Sequence, residues 1–577
     1  MPSEGYLSEL ESISSENEKI FENSNAVQQL RDSKDLDLYE SAAVASHRSV
    51  FSRIQEIESN PVKKTRTGEY PDLDIVIQAT NLKTAETTEE ASKFELEANA
   101  ISPPDVPYSW VITCLQSLIM VATWGCSSCF GVFLAYFITA DYFPGATTVD
   151  YAMIGSLVLY FAQAAATIPI VLSSIIGFRP VMCIGILLQT GGYIASSFAT
   201  KVWQLYLSYG TMVGLGFCFI VNPPFTIVPT WFSTDEGKGA NMDRSGKKKK
   251  SKVGLSQGII AGGAGLGGAI FSLAAQRMIE QTGDHRWAMR VVGIVVFIAN
   301  CIACIFIKER VPKPRLKTWH EIRSRFTLIL DWSVAKQYQV DCICVWYALM
   351  VLAYIVLMYS MSSMALSIGL TETQGSHVTA IFNACQAIGR PMIGLTSDYT
   401  GRVNMSVSVS CFTVVLVFAL WINCETYGSL IAFSVLSGLT SGVANCLNGS
   451  LLADSVPQAM IPSGWTFFSL CVGSAGLCSE VVALKLRDLS LSKPFLHAQI
   501  FVGCVQVFAI LCLLPYREWK TRQIFIERLR KLDEESKKEG WTTEERQVLE
   551  IAHDKYARLL RTNIPSFFIR LCYPMKV

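Results

Sequence analysis

The sequence predicts an all-α polytopic membrane protein, with twelve transmembrane helices arranged as two six-helix halves. Three observations predict it. Half of the 577 residues are apolar and only 17% are charged, against roughly 25% charged in soluble proteins. From Trp110 onward the apolar residues come in long runs, each of about 20 residues or more, which is what crosses a hydrocarbon core of ~30 Å. The basic residues gather in alternate loops between these runs. With a net charge of +1, no global field attracts nucleic acid.

Residues 1–105 hold 21 acidic against 10 basic side chains and little helical periodicity, so they read as a disordered acidic cytosolic tail. No basic stretch followed by a short apolar core precedes a cleavage site, so the first apolar segment is expected to act as its own insertion signal. Twelve segments follow, at 110–138, 151–173, 180–199, 203–232, 253–275, 287–307, 342–367, 375–397, 403–423, 428–452, 463–484 and 496–516. In hydrocarbon only helices and closed barrels satisfy their own backbone, and unalternating runs of this length are helices.

The loops after segments 4 and 6 carry the basic clusters. The first is Lys247, Lys248, Lys249, Lys250 and Lys252; the second is Lys308, Arg310, Lys313, Arg315, Lys317, Arg323 and Arg325. The positive-inside rule places both loops in the cytosol, and with an even span count both termini join them. The loop between segments 11 and 12, with Lys485, Arg487 and Lys493, fits least well. Lys247–Lys250 reads as a topology determinant, with anionic lipid contact as a second role.

The chain therefore divides into the tail 1–105, a six-helix bundle 106–307, a cytosolic linker 308–341, a second bundle 342–516 and a cytosolic tail 517–577. Charges alternate over 517–561, as on a surface amphipathic helix. Two parallel six-helix repeats would place a substrate site near the midplane between them. A faint internal repeat agrees. Gly389-Arg-Pro-Met-Ile-Gly-Leu-Thr-Ser-Asp-Tyr-Thr-Gly-Arg402 joins segments 8 and 9, and Ser174-Ile-Ile-Gly-Phe-Arg-Pro180 joins segments 2 and 3, aligning Asp398 with Ser174 and Gly401 with Gly177.

An ionisable group inside a span costs ~2.5 kcal/mol or more, which makes it a functional candidate. Arg390 is the clearest. Thr379, Asn383, Gln386 and Arg390 fall at i, i+4, i+7 and i+11, one polar stripe on segment 8. Its guanidinium fork suits a carboxylate; the alternative is a structural arginine satisfying carbonyls or pairing with an acid. Segment 1 carries Thr113, Gln116, Thr123 and Ser127 with Ser128 beside it, segment 10 carries Ser441, Asn445 and Asn448, and segment 7 carries Tyr354 with Met358. These stripes face either a polar solute or a partner helix. Glu480 is the one acid inside a span, near the end of segment 11. It either snorkels or pairs with Lys485 and Arg487, or it is a protonatable gate.

Several patterns are discounted. Gly263-Ala-Gly265-Leu-Gly-Gly268 spells G-x-G-x-x-G without a preceding strand; glycines such as Gly254, Gly258 and Gly262 instead permit close helix packing. Cys126/Cys129 and Cys301/Cys304 spell C-x-x-C inside spans without a histidine partner, so no metal site and no cofactor is expected.

Several stretches resemble the major facilitator superfamily, and within it the monocarboxylate porter family, especially its fungal branch. Pro104-Asp105-Val-Pro-Tyr108-Ser-Trp110-Val111 is similar to that family's entry motif, with Val106, Pro107 and Ser109 where glycines are usual. Trp124-Gly125 and Phe130-Gly131-Val132-Phe133 match the end of helix 1, and Gly254 to Gly268 matches the glycine-rich helix 5. Ala380-Ile-Phe-Asn383-Ala-Cys-Gln-Ala-Ile-Gly389-Arg390-Pro391 through Asn404 matches helix 8 and the loop after it, so that the likeness spans about 104–516.

The resemblance implies the major facilitator fold, a cavity lined by helices 1, 4, 7 and 10, and an arginine at position 390 that holds substrate anions. It implies substrate contacts at Asn383, Gln386, Ser128, Asn445, Asn448 and Tyr354, and a cytosolic conformational latch at Asp398, Arg402 and Gly394, with Ser174 replacing the acid in the first half. In proton-coupled members a helix 1 lysine and a helix 8 acid exchange proton and carboxylate; the aligned residues here are Ser128 and Gln386, which cannot titrate. The expected protein is a secondary transporter of a small organic solute, a monocarboxylate or related organic acid or vitamin, working by alternating access. It is expected to work by facilitated diffusion, or by coupling through another route such as Glu480, rather than by the family's proton symport. Its partners are an anionic solute and the lipid bilayer, with no nucleic acid and no indicated accessory subunit. Glu480 remains the candidate proton site. The plasma membrane is the expected location, with the vacuolar membrane as alternative. A nutrient sensor with the same fold is the other functional reading. No nucleotide-binding loop or cytosolic nucleophile indicates an enzyme.

Overall fold

The computed structural model describes residues 107–577 apart from 141, 226, 233–251, 311–317, 332, 457–459, 489–490, 492 and 538–542. The acidic tail and Lys247–Lys250 lie outside the described residues. A helix occupies each of the twelve segments, and no strand occurs among the described residues. Nine of these helices are long and apolar enough to cross a membrane, and the pair Thr148–Ala164 and Thr167–Ile176, bent by 46°, makes a tenth if it is one span. The other two, Phe178–Ser196 and Glu372–Thr400, are the more polar segments 3 and 8. Arg179, Gln189 and a glycine pair dilute the first, and the polar stripe dilutes the second.

Local chemistry sets several boundaries. Segment 2 starts at Thr147, which exchanges hydrogen bonds with Asp150 in a capping box, and segment 8 starts at Thr371 with Gln374 in the same arrangement. Each satisfies amide groups that the first helical turn leaves bare. Gly177 and Gly401, aligned by the internal repeat, end segments 2 and 8 at φ 93° and 98°. Only glycine adopts that region without strain, so the repeat is a repeat of backbone geometry.

Four segments differ from simple rods. Segment 1 runs Pro107–Met120, passes through a wide π turn at Val121–Gly125 and breaks at Ser128 and Cys129 before Phe130–Thr139. Segment 4 contains a π stretch, Tyr206–Val213, ahead of Gly214–Phe225. Segment 10 is interrupted at Ser441 and Gly442 between Tyr427–Thr440 and Val443–Ser455. Segment 12 continues as one helix from Leu496 to Ser536, well past the expected end at 516. The linker holds a short helix, Trp319–Ile329.

Each half has its own core. Phe133, Phe137, Tyr151, Tyr193, Tyr209 and Phe217 are buried together in the first; Met361, Phe382, Trp421 and Phe433 are buried in the second. Two helix pairs join the halves, segment 5 against 8 and segment 2 against 11. Lipid tails are as apolar as leucine, so such seams depend on close van der Waals approach. Glycine permits it: a Cβ on Gly258 would stand 2.5 Å from the Arg390 carbonyl oxygen, and one on Gly265 2.6 Å from that of Asn383.

Among the described residues, 107–523 and 567–577 form one compact unit and 524–566 another. Within the first, the last residues lie on the turn between segments 8 and 9. Val403 donates its amide to the Val577 carbonyl (3.0 Å), Asn404 Nδ2 donates to the Met575 carbonyl (2.7 Å), and Lys576 Nζ donates to the Asp398 carbonyl (2.7 Å). Within the second, Thr543–Leu559 packs Tyr556 against Phe525 at the end of the long helix, with ring centroids 5.5 Å apart.

Candidate functional site

Arg390 sits on the face of segment 8 that meets segments 5, 7 and 10, and it is 4% exposed. Its Nη1 donates to the Ala261 carbonyl oxygen of segment 5 (2.7 Å), and its Nη2 donates to Gln386 Oε1. That oxygen also accepts from the Tyr354 hydroxyl of segment 7 (3.3 Å), and Gln386 Nε2 donates to Asn383 Oδ1 (3.3 Å). Four of the sequence-predicted residues are thus one hydrogen-bonded chain.

Ser128 and Asn383 flank Gly268, where a Cβ would lie 3.0 Å from Ser128 Oγ and from Asn383 Cγ. The break in segment 1 places Ser128 there. On segment 10 the interruption makes room for the arginine: a Cβ on Gly442 would stand 2.6 Å from both Cγ and Nε of Arg390. Asn445 is half-buried one turn further on. Asn448 is buried and accepts the Gly449 amide at Oδ1 (2.5 Å); its neighbour Tyr347 lies in the field of Arg390.

Buried polar atoms in proteins nearly always have a partner. Here Arg390 Nε, Asn383 Nδ2 and Ser441 Oγ, together with both amide atoms of Gln116, have none among the protein groups. Thr113 is different: its hydroxyl bonds Ser256 Oγ (2.9 Å) and so ties segment 1 to segment 5. Sequence reasoning missed Ala261, Gly442 and Tyr347. Ala261 acts through its backbone and Gly442 through an absent side chain, so neither carried a polar signal; Tyr347 lies on segment 7 and was visible only as an aromatic.

At the end of the bundle that carries the linker, Asp398 Oδ1 and Oδ2 accept the amides of Gly254 and Leu255, each at 3.2 Å. They satisfy donors that the first turn of segment 5 leaves bare. A Cβ on Gly394 would collide with the Gly254 carbonyl. Arg402 Nη1 pairs with Asp454 Oδ1 of segment 10 (2.8 Å). In the first half, Ser174 Oγ bonds the Ile170 carbonyl of its own helix (3.3 Å). On the same face Phe225 stacks on Trp465 at 4.4 Å, and Trp465 Nε1 donates to Asn222 Oδ1 (3.1 Å). The Asp398 and Trp465 contacts cross between the halves.

Glu480 neither snorkels nor pairs with its neighbours, which corrects that expectation. It is 3% exposed and faces Gly155 of segment 2, with the Tyr359 hydroxyl as a polar neighbour. Segment 11 packs against segment 2 along this face, which turns residue 480 into the seam. Lys485 is exposed, and Arg487 lies over the Phe495 ring instead, 5.5 Å from its centroid.

Two helical halves with paired glycine seams and a buried polar centre define a membrane carrier. The Major Facilitator Superfamily pattern matches residues 116–479, and the chain belongs to that superfamily: it is an integral multi-pass transporter and not an enzyme. Among individual proteins, it is 35% identical to the "Uncharacterized transporter ESBP6" of Saccharomyces cerevisiae, over 82% of this chain and 70% of that one. It is 27% identical to the "Probable transporter MCH2" of the same yeast, over 78% and 89%, and 24% identical to the "Agnestins efflux protein AgnL12" of Paecilomyces divaricatus, over 73% and 90%. The crystal structure of the human organic anion transporter MFSD10 shares the fold with a TM-score of 0.51 at 14% identity, covering 71% of this chain and all of that one.

Proposed function

We propose that this transporter is a secondary carrier of a small organic anion, of the monocarboxylate porter type, with Arg390 as the anion contact. The supporting observation is the Nε of Arg390, buried and without a protein partner, on a bundle that also leaves Asn383 Nδ2 and Ser441 Oγ bare. A carboxylate accepts from such donors, and charge-assisted bonds of this kind are the stronger class. Ser128, Tyr354, Gln386, Asn445 and Asn448 line the approach to that contact. Asp398, Gly394 and Arg402 act as the latch that holds the linker face shut. That face is the cytosolic one, both termini lie in the cytosol, and the plasma membrane is the site of action.

With Ser128 and Gln386 in place of a titratable pair, and an arginine that stays protonated at any accessible pH, the central site itself carries no proton. The test is uptake and release of a panel of labelled organic acids and vitamins by the purified chain in proteoliposomes. A carrier moves at least one of them across the sealed membrane in a saturable way. A chain that binds a panel acid without moving it is a sensor, and the carrier reading then fails.

A further inference from the structure

We propose that Glu480 is a proton-binding site whose occupancy follows the closure of segments 2 and 11 on one another. The carboxyl is buried in the seam between the two halves. Segment 2 brings the backbone of Gly155 up to it, where a Cβ would stand 2.5 Å from Oε2 and 2.6 Å from Oε1. The missing side chain is what makes room for the acid. Segment 7 presents the Tyr359 hydroxyl, and segment 4 presents Tyr209, also a neutral phenol, within electrostatic reach. On segment 11 itself, Lys485 is the next charged residue and is exposed. Among the described residues no cation pairs with Glu480, and Oε1 has no protein partner at all.

An unpaired carboxylate in such a place carries a desolvation penalty, and a proton on the carboxyl removes it. When the halves part at this end, water reaches the group and the proton can leave as the carboxylate forms; when they close, a proton must be taken up first. The proton site stands on the packing alone. Its link to transport rests on the two-half carrier reading above, and supplies a proton route that the central site lacks.

Infrared difference spectroscopy on the full chain in phosphatidylcholine vesicles tests it without any substrate. The wild type should show the C=O stretch of a protonated carboxyl at neutral pH. Glu480→Gln, close in shape, should lose that band, and Tyr359→Phe should keep it but shift it as the polar neighbour is lost. A wild type without the band, a Glu480→Gln chain that retains it, or a Tyr359→Phe band that does not move would overturn the assignment. A chain that shows the Glu480 band but moves no organic solute would sink the carrier reading and leave the proton site standing.

Discussion

Arg390 donates through Nη1 to the carbonyl oxygen of Ala261, 2.7 Å away on segment 5. One guanidinium therefore ties the second half to the first through Nη1, while its Nε, packed against Gly442 of segment 10, is left without a protein partner. A ligand alters the balance between two states only through contacts that differ between them. If Arg390 binds the solute as proposed, the contact that ties the seam is the one that a solute would alter.

Replacing Arg390 with Ala should weaken transport of a carboxylate solute by tenfold or more, since losing a hydrogen bond to a charged group costs about 1.5–3 kcal/mol. Arg390→Lys keeps the charge but loses the planar fork, and should restore only part of the activity. Uptake rates normalised to the amount of delivered protein provide the measurement. Unchanged kinetics in Arg390→Ala would make the residue purely a tie to segment 5.

Gly394→Ala should destabilise the seam between segments 5 and 8, because the new methyl group meets the Gly254 carbonyl, which cannot swing aside. Overpacking of this kind costs typically 1–3 kcal/mol. A lowered melting temperature in detergent is the expected result, with a smaller effect from Gly428→Ala, whose Cβ would meet nothing within 4 Å.

Trp465→Ala should loosen the linker face. It removes the stack on Phe225 and the bond to Asn222, about 0.5–1.5 kcal/mol for each. The open population should rise on the order of tenfold. Cys218, fully buried beside Asn222, reports it: in a background lacking the exposed cysteines, its alkylation by a water-soluble maleimide should quicken correspondingly. An unchanged rate would remove Trp465 from the gate.

Removing residues 573–577 should loosen the turn between segments 8 and 9. The carbonyls of Met575 and Val577 accept from Asn404 and Val403, and Lys576 holds the Asp398 carbonyl. Hydrogen–deuterium exchange should show faster exchange for the amides around 401–405, and Asn404→Ala should give part of the same effect. Equal protection in the truncated and full chains would contradict the brace.

The sequence by itself determined that the chain is all-helical and where its helical segments lie, because a bilayer leaves long unalternating apolar runs no alternative to helices. It also aligned Gly177 with Gly401, whose shared positive φ is local, whereas the caps at Thr147 and Thr371 lie outside the segments read from the sequence, which start at 151 and 375. The stripe of Asn383, Gln386 and Arg390 was legible through helical spacing. The partners were not. Arg390 meets Ala261 from 129 residues away, and nothing periodic along the chain records which helices face each other across the seam. Glu480 shows the consequence most clearly. Along the chain its neighbours are Lys485 and Arg487, but packing turns it towards Gly155, where only an absent side chain makes room for it. Tertiary structure alone decided that, because it sets which surfaces approach closely enough to exclude water.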